Sequence, residues 1–391
     1  MITTIGGIAT VGSGSTPSRI DIENFGQTGT PWVKTGDLTN SWVVTTAEKL
    51  TPHALRKGVR VFPQNTVLVA MYGGYKQIGR TGILSSPSAV NQAISAIQVD
   101  QSLVMPEYLL HYLNHNVEAW KRFAASSRKD PNITRRDVES FPLQLPTISE
   151  QRKIANILRA WDEAIGRLQI AMDLIRSKML DHATRSFEQM RSSEDRPYVR
   201  LGDLLSERVE VSTTSLPLLS VTQHRGVIRQ AAEGRKDSST SDRSRYKRVM
   251  PGDIAYNTMR MWQGASGVVT EEGIVSPAYT VVTPKARLID PNFAASLFKD
   301  KRTMFDFERY SQGLTSDTWN LKYPAFAEIC VPLPDLESQR SLANYLDAAR
   351  QEISLLDREI ELLKEQKRGL MQKLLTGEIR VTVDPTEGAA P

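Results

Sequence analysis

The feature that most constrains the fold is internal repetition. The segment LPTISEQRKIANIL, starting at Leu145, recurs as LPDLESQRSLANYL, starting at Leu333, at a constant offset of 188 residues. The offset pairs Pro146 with Pro334, Gln151-Arg152 with Gln339-Arg340, and Ala155-Asn156 with Ala343-Asn344. Upstream the match thins but persists: Pro63 pairs with Pro251 and Asn132-Ile133 with Asn320-Leu321. At an offset of 185, Gly79, Gly82, Ala93 and Pro106 pair with Gly264, Gly267, Ala278 and Pro291. Repetition at this length means one structural unit used twice. Each unit is a variable region of about 140 residues followed by a similar segment of about 40.

The similar segment reads as a helix in both copies. Thr147 and Asp335 stand as N-cap residues just after a proline, and Thr147-x-x-Glu150 has the form of a capping box. Apolar residues then recur every 3.5 residues, as Ile154, Leu158, Trp161, Ile165, Leu168, Met172, Ile175 and Met179 in the first copy. Leu342, Leu346, Ala349, Ile353, Leu356, Ile360 and Leu363 follow in the second. That spacing, sustained beyond three heptads, is a coiled-coil seam. Both seams share one register, which favours pairing with each other over two independent surface helices. Gly377 is placed to stop the second helix. Residues 149–190 carry seven basic and six acidic side chains, and 336–379 carry seven and eight, so the helices are near neutral.

The variable regions carry the basic excess, +4 over 1–145 and +2 over 195–335. Two clusters concentrate it. The first holds Lys121, Arg122, Arg128, Lys129, Arg135 and Arg136; the second holds Arg225, Arg229, Arg235, Lys236, Arg243, Arg245, Lys247 and Arg248. One such cluster is an ordinary solvated loop as readily as a binding surface; one in each half points toward a polyanion. Short β-branched or aromatic runs (Thr66–Tyr72, Ile94–Val99, Val268–Val269, Tyr279–Val282) alternate with turn residues, and each region has one amphipathic helix, Pro106–Phe123 and Pro291–Tyr310. The expected fold class is α+β. Two similar domains, 1–146 and 191–334, would be separated by two long helices, 147–190 and 335–377, paired as an antiparallel coiled coil with a pseudo-two-fold repeat. A tail, 378–391, would follow.

Several functions are excluded or disfavoured. The single cysteine, Cys330, rules out a disulfide framework and a thiolate metal cluster. No apolar run is long enough to span a bilayer, and the first residues lack a signal peptide's basic start and apolar core, so a cytoplasmic protein with no membrane partner is expected. Gly12-Ser13-Gly14-Ser15-Thr16 lacks the lysine of a P-loop. No Asn-Pro-Pro-aromatic tetrapeptide, no glycine-rich S-adenosylmethionine fingerprint and no nuclease triplet stands out. His111 and His115 are spaced i, i+4, but they lack the glutamate of an HExxH site and a third ligand. No catalytic residue and no metal are expected on this chain.

The pattern resembles the specificity subunit (S, HsdS) of type I restriction-modification systems, over essentially the whole chain. Gly14-Ser15-Thr16-Pro17-Ser18 with Pro31–Leu38, Asn91-Gln92-Ala93-Ile94, the two Leu-Pro…Gln-Arg…Ala-Asn…Leu helices and Leu374–Arg380 carry the resemblance. It implies that each variable region is a target recognition domain reading one half of a split site in double-stranded DNA. The helices would dock modification (methyltransferase) subunits, two in number, and restriction/translocase subunits. Those partners would bring S-adenosylmethionine, ATP and Mg, leaving this chain without a cofactor. The second half departs from the family opening, having Pro217–Thr222 in its place, so the two halves should read different sequences.

Base edges are read by Arg, Lys, Asn and Gln, and phosphates by basic and hydroxyl side chains. In the first region the loop candidates for DNA contact are Lys34, Tyr72, Tyr75, Lys76, Gln77, Arg80, Arg128, Lys129, Asn132 and Thr134. In the second they are Thr222, Gln223, His224, Arg225, Asn257, Arg260, Gln263, Gln312, Thr315 and Asp317. Trp161 and Trp319 read as packing residues. Helices of about 40 residues would run roughly 60 Å, longer than the roughly 34 Å of one duplex turn, so unread bases should separate the two target blocks. Two rivals stand beside this reading: a self-sufficient methyltransferase or nuclease, and a protein scaffold that binds no DNA.

Overall fold

The structure is a computed structural model describing residues 2–74, 76–125, 132–193, 197–211, 216–230 and 245–382. The chain forms two compact units, 1–169 with 358–391 and 170–357, so each long helix contributes to both.

In the first unit the strand Ile2–Thr4 pairs antiparallel with Pro142–Gln144, closing the variable region just before the first long helix, Ile148–Ser192. Between them a five-stranded sheet runs in the order Ala9–Ser13, Ile94–Val99, Val67–Ala70, Thr81–Leu84, Ser41–Val43. Its strand Val67–Ala70 is buried throughout. Successive side chains point to opposite faces of a strand. Val67 and Val69 therefore join the core around Tyr108, Leu109 and Trp120, while Leu68 and Ala70 join Val33, Leu38, Phe62 and Val90. A strand covered on both faces must be apolar at every position, which is why this run lacks alternation. The second core is roofed by another five-stranded sheet, in the order Phe25–Gly26, Glu48–Leu50, Thr30–Val33, Ser88–Val90, Val61–Phe62.

The second unit repeats the scheme with fewer strands. Tyr198–Arg200 pairs with Cys330–Pro332. A four-stranded antiparallel sheet runs Leu205–Glu207, Tyr279–Pro284, Ile254–Asn257, Ser266–Val268. Ile254, Tyr256 and Val282 face one core; Ala255 and Val281 face the other. Two separate two-stranded pairs, Leu219–Thr222 with Gly226–Arg229 and Lys247–Val249 with Gly273–Val275, take the place of the second sheet.

Both helices expected in the variable regions are broken. The first divides into Pro106–His115 and Val117–Ala125 at Asn116, whose side-chain amide donates to the Tyr112 carbonyl at 2.8 Å. Asparagine competes for the backbone in this way and weakens helix interiors. The second divides into Pro291–Leu297 and Lys301–Tyr310, because Asp300 caps the latter by accepting from the Arg302 and Thr303 amides. The Arg191 guanidinium closes on the same carboxylate at 2.7 Å. The strand runs shift by a few residues: Thr66–Tyr72 shortens to Val67–Ala70, Val268–Val269 becomes Ser266–Val268, and Tyr279–Val282 extends to Pro284.

The second long helix spans Leu336–Leu375. In the first unit Ile154 and Leu158 share a core with Met371, Leu374 and Leu375. In the second, Phe187 and Met190 share one with Leu342, Ala343 and Leu346. Early residues of one helix meet late residues of the other in both units, so the pairing is antiparallel. Along the seam Ile154, Leu158, Leu342, Leu346 and Ile360 are buried, and Trp161, Ile165, Leu168, Ile353 and Leu356 half-buried, while Arg159, Glu163, Lys178, Glu352 and Glu359 are exposed. The Thr147 hydroxyl accepts from the Glu150 amide at 3.3 Å while the Glu150 carboxylate accepts from the Thr147 amide at 2.8 Å; Asp335 likewise accepts from the Ser338 amide at 2.9 Å. Gly377 takes φ +76° just past the second helix, a left-handed conformation that other residues adopt at a cost.

The duplicated Gln-Arg pair explains itself here. Gln151 is buried; its amide nitrogen donates to the Leu103 and Pro146 carbonyls at 3.0 Å each and its oxygen accepts from the Met105 amide at 2.9 Å. Gln339 is buried and does the same with the Leu288 and Pro334 carbonyls, at 3.0 and 2.8 Å, and the Asp290 amide, at 2.9 Å. One side chain thus saturates three backbone groups at each helix start, groups that would be costly to bury alone.

Candidate nucleic-acid interface

In both units one hairpin connection carries part of the candidate set, and other segments join it. In the first, the chain leaves the strand Val67–Ala70, passes Gly73 (φ +120°) and Gly74 (φ +91°), and returns at Thr81. The Gln77 and Ile78 amides donate to the Gly74 carbonyl, and the Gly79 amide to that of Ala70 at 3.0 Å. Gly79 is in the left-handed region, with Trp120 close behind it, so a side chain there would be both strained and crowded. Buried Ile78 anchors the loop, and Tyr72 and Lys76 face solvent. The Gln77 side-chain oxygen is buried without a partner among the described residues. Burial raises the Tyr72 hydroxyl above its ordinary pKa, keeping it a neutral donor.

A second segment joins this loop at its root: the Ile133 amide donates to the Met71 carbonyl at 2.8 Å, bringing Asn132 and Thr134 beside Tyr72. The Thr134 hydroxyl is engaged, capping the short helix Arg135–Glu139 through the Asp137 amide at 3.3 Å. Lys34 reaches the same neighbourhood, since Thr35 lies against Gly73. Its ammonium, however, is hydrogen-bonded to Glu48, which also holds Arg19 at 2.6 Å; those two cations, Arg19 first, keep the Glu48 carboxyl below its ordinary pKa. Tyr75, Arg128 and Lys129 lie outside the described residues.

The second unit has the same root. The Leu321 amide donates to the Thr258 carbonyl at 2.9 Å, the counterpart of Ile133 and Met71. Between Asn257 and Ser266 the loop exposes Arg260 and half-exposes Gln263, and the Asn257 side-chain oxygen accepts from the Met259 amide at 3.0 Å. The segment carrying Gln312, Thr315 and Asp317 is closed by a two-way backbone bridge between Gln312 and Asn320. Trp319 meets Trp262 edge-on, with ring centres 5.2 Å apart, and so packs the two loops together. The hairpin tip Gln223-His224-Arg225 is exposed, while the Thr222 hydroxyl turns inward, donating to the Gly226 carbonyl at 3.0 Å. Lys299 ties this tip to the neighbouring loop by donating to the Gln223 and Gly264 carbonyls at 2.8 and 3.1 Å. Burial, aided by Arg350, lowers the Lys299 ammonium to about 8.

The basic clusters are less open than their composition implies. Arg229 pairs with Glu271, Arg248 with Glu210 and Glu272, and Lys247 with Glu207; Lys121 pairs with Glu118 and Arg135 with Glu139. Arg122, Arg136, Arg225 and Arg245 remain exposed with no ion pair among the described residues, and Arg235, Lys236 and Arg243 lie outside them. The roles of Trp262 and Lys299 had no signal in spacing; both depend on tertiary neighbours.

Among the described residues no third metal-ligating side chain joins His111 and His115. The His111 ring is buried, its Nδ1 has no partner among the described residues, and burial followed by the Lys367 charge lowers its pKa to about 3. Among the described residues the one grouping with metal-ligand spacing is Asp21, Glu23 and His53, and there the Lys57 ammonium already sits on Asp21. No described helix is long and apolar enough to cross a membrane.

Residues 1–171 match the family described as the type I restriction modification DNA specificity domain. Over 338 residues, 78% of this chain and 76% of the relative, the sequence is 22% identical to the type I restriction enzyme MjaVIII specificity subunit of Methanocaldococcus jannaschii. It is 23% identical over 162 residues to the EcoR124I/EcoR124II specificity subunit of Escherichia coli, 41% of this chain and 40% of that one. The fold is similar to that of the type I restriction-modification S subunit from M. genitalium, with a TM-score of 0.62 and 14% identity over 98% of this chain and 96% of that one. It is also similar to a chain from a structural study of complex assembly and conformational transition in the type I R-M system, with a TM-score of 0.53 and 16% identity over 97% and 98%. The likeness to solved structures is one of fold and spans nearly the whole chain. Residues 1–171 match that domain family, and along most of its length the chain is similar to type I restriction-modification specificity subunits.

Proposed function

We propose that the chain reads a split, asymmetric target in double-stranded DNA, one block through each unit, and docks modification and restriction subunits through its paired helices. The observation that carries this reading is the repeated root, Met71 with Ile133 and Thr258 with Leu321, on which each unit gathers a different set of exposed polar, aromatic and basic side chains. One framework with two unlike surfaces is what two unlike half-sites require. The candidate contacts are those residues named from the sequence that are exposed or half-exposed on these loops: Tyr72, Lys76, Gln77, Arg80 and Asn132 in the first unit, and Gln223, His224, Arg225, Arg260, Gln263, Gln312, Thr315 and Asp317 in the second. Lys34, Thr134, Thr222 and Asn257 act chiefly by shaping the loops.

Partner docking draws support from the helix pair. In the first unit Ile157, Ala160, Trp161, Ala164 and Leu363 line an open apolar groove of about 430 Å³, and apolar surface left open along the helix pair suits a protein partner. The chain itself makes and breaks no bond in this reading. S-adenosylmethionine, ATP and Mg belong to the partner subunits.

The test is to exchange residues 195–335 for the matching region of a relative and sequence the methylome of cells carrying the chain and its partners. One block of the target should change and the other stay. A single continuous motif, or a perfect palindrome, would refute two unlike readers. Methyl transfer by the purified chain alone would refute the non-catalytic assignment.

A further inference from the structure

The second unit holds a large apolar side chain wholly in water on the loop that also carries Gln312, Thr315 and Asp317. Leu314 has 102% of its reference exposure. It does not hang from a slack loop. Gln312 and Asn320 bridge through both backbone amides, at 3.1 and 2.8 Å. The Thr318 amide donates to the Thr315 carbonyl at 2.9 Å, and the Thr318 hydroxyl accepts from the Thr315 amide at 3.1 Å. Gly313, immediately before it, has φ +142°, and a Cβ there would lie 2.6 Å from the Thr318 carbonyl oxygen, so the tip tolerates glycine alone. The Trp262–Trp319 contact braces the base of the loop. A leucine presented this way has its entropic cost met in advance and its apolar surface unsatisfied.

The chemistry around it says what it meets. Residues 311–321 contain no Lys or Arg, so the loop is not a phosphate clamp. Gln312 and Asp317 carry the side chains that pair with adenine and with the cytosine amine, and the one apolar feature on base edges in the major groove is the thymine 5-methyl group. We propose that Leu314 is a specificity-determining residue that contacts a thymine methyl in the block read by the second unit. The inference rests on the proposed DNA reading. At the 188-residue offset the first unit has Ser126 in this place, so it has no counterpart there.

The experiment uses the chain assembled with its modification subunits and the target found by methylome sequencing. Each thymine of the second block is replaced in turn by uracil, which removes only the methyl, and binding is measured for the wild type and for Leu314→Ala and Leu314→Ile. The wild type should lose about four-fold at one position, the worth of one buried methyl. Leu314→Ala should be insensitive at that same position, and Leu314→Ile should keep the sensitivity. Loss of discrimination against a random duplex in the wild type would bring down both this inference and the DNA reading. Clear target preference with no uracil position whose effect Leu314→Ala abolishes, or a second block with no thymine on either strand, would overturn the role of Leu314 alone.

Discussion

The first unit's second loop and the second unit's equivalent start from the same root and end in opposite chemistry. At the 188-residue offset Arg128-Lys129 of the first stands where the second has Ser316-Asp317, and Pro131 stands opposite Trp319. In sequence the first-unit loop is basic, and the second carries neutral, acidic and apolar residues. The reading hairpins diverge in the same way: one turns through Gly73 and Gly74, the other through Trp262 with a brace from Lys299. What the units share is main chain, in the sheets, the Met71 and Thr258 roots and the buried glutamines. Duplication has conserved the frame and released the surface.

Four measurements would break or sharpen that contrast. The largest effect should fall on the second unit alone. Asp253 is buried, accepts from Arg208 at 2.7 Å, from the Thr283 hydroxyl and from the Met250 amide. Asp253→Ala removes the buried carboxylate shared by Arg208, Thr283 and Met250, leaving the guanidinium only Glu210, at 3.2 Å, and should cost about 3–5 kcal/mol. Calorimetry should show one transition falling and the other unmoved. A shared shift of both would mean the units do not unfold separately.

Next, the glutamine joints should be equivalent. Gln151→Ala and Gln339→Ala each take this partner from three part-buried backbone groups and should cost about 2–4 kcal/mol apiece. Losses differing by more than about two-fold would break the equivalence.

The third effect belongs to the first unit. The His111 pKa is lowered to about 3 in the folded chain against an ordinary 6.5, so below pH 6.5 the unfolded state binds the extra proton. Stability is full above pH 6.5 and falls as pH drops toward 3, by about 2 kcal/mol at pH 5. Urea midpoints of the first unit should follow this trend, and His111→Leu should remove the His111 part of the slope; an unchanged slope in that variant would place the titration elsewhere.

The smallest effect is in salt dependence. Arg128→Ala with Lys129→Ala should flatten the salt slope of binding by about 1 to 2 units, and Arg260→Ala by about 1. Arg229→Ala, whose cation is already held by Glu271, should leave it unchanged. Equal slopes for all of these would erase the distinction between open and paired cations.

Periodicity made the helices legible. A 3.5-residue repeat spanning six turns survives any local noise, and the caps at Thr147 and Asp335 depend on neighbours three residues away. The breaks at Asn116 and Asp300 were harder to see, because an apolar stripe continues across them and only the side-chain competition reveals the stop. The candidate site was legible as a set of loops and not as a set of charges. Whether Lys34 or Arg248 is open depends on Glu48, Glu210 and Glu272, brought up by sheet pairing. Trp319 was readable as a packing residue; that it packs on Trp262, and thereby couples two reading loops, follows from the shared root at Thr258.

The buried glutamines carry one more consequence. Each touches its neighbouring domain only through carbonyl oxygens and one amide hydrogen, groups that every residue type but proline supplies. The joint is therefore blind to what the domain spells. At that spot a different domain would need only two carbonyls and an amide, while the apolar contacts around Ile154 and Leu342 would still have to match. That part of the joint constrains main chain and leaves sequence free, so the variable regions can differ widely while the glutamine socket stays the same.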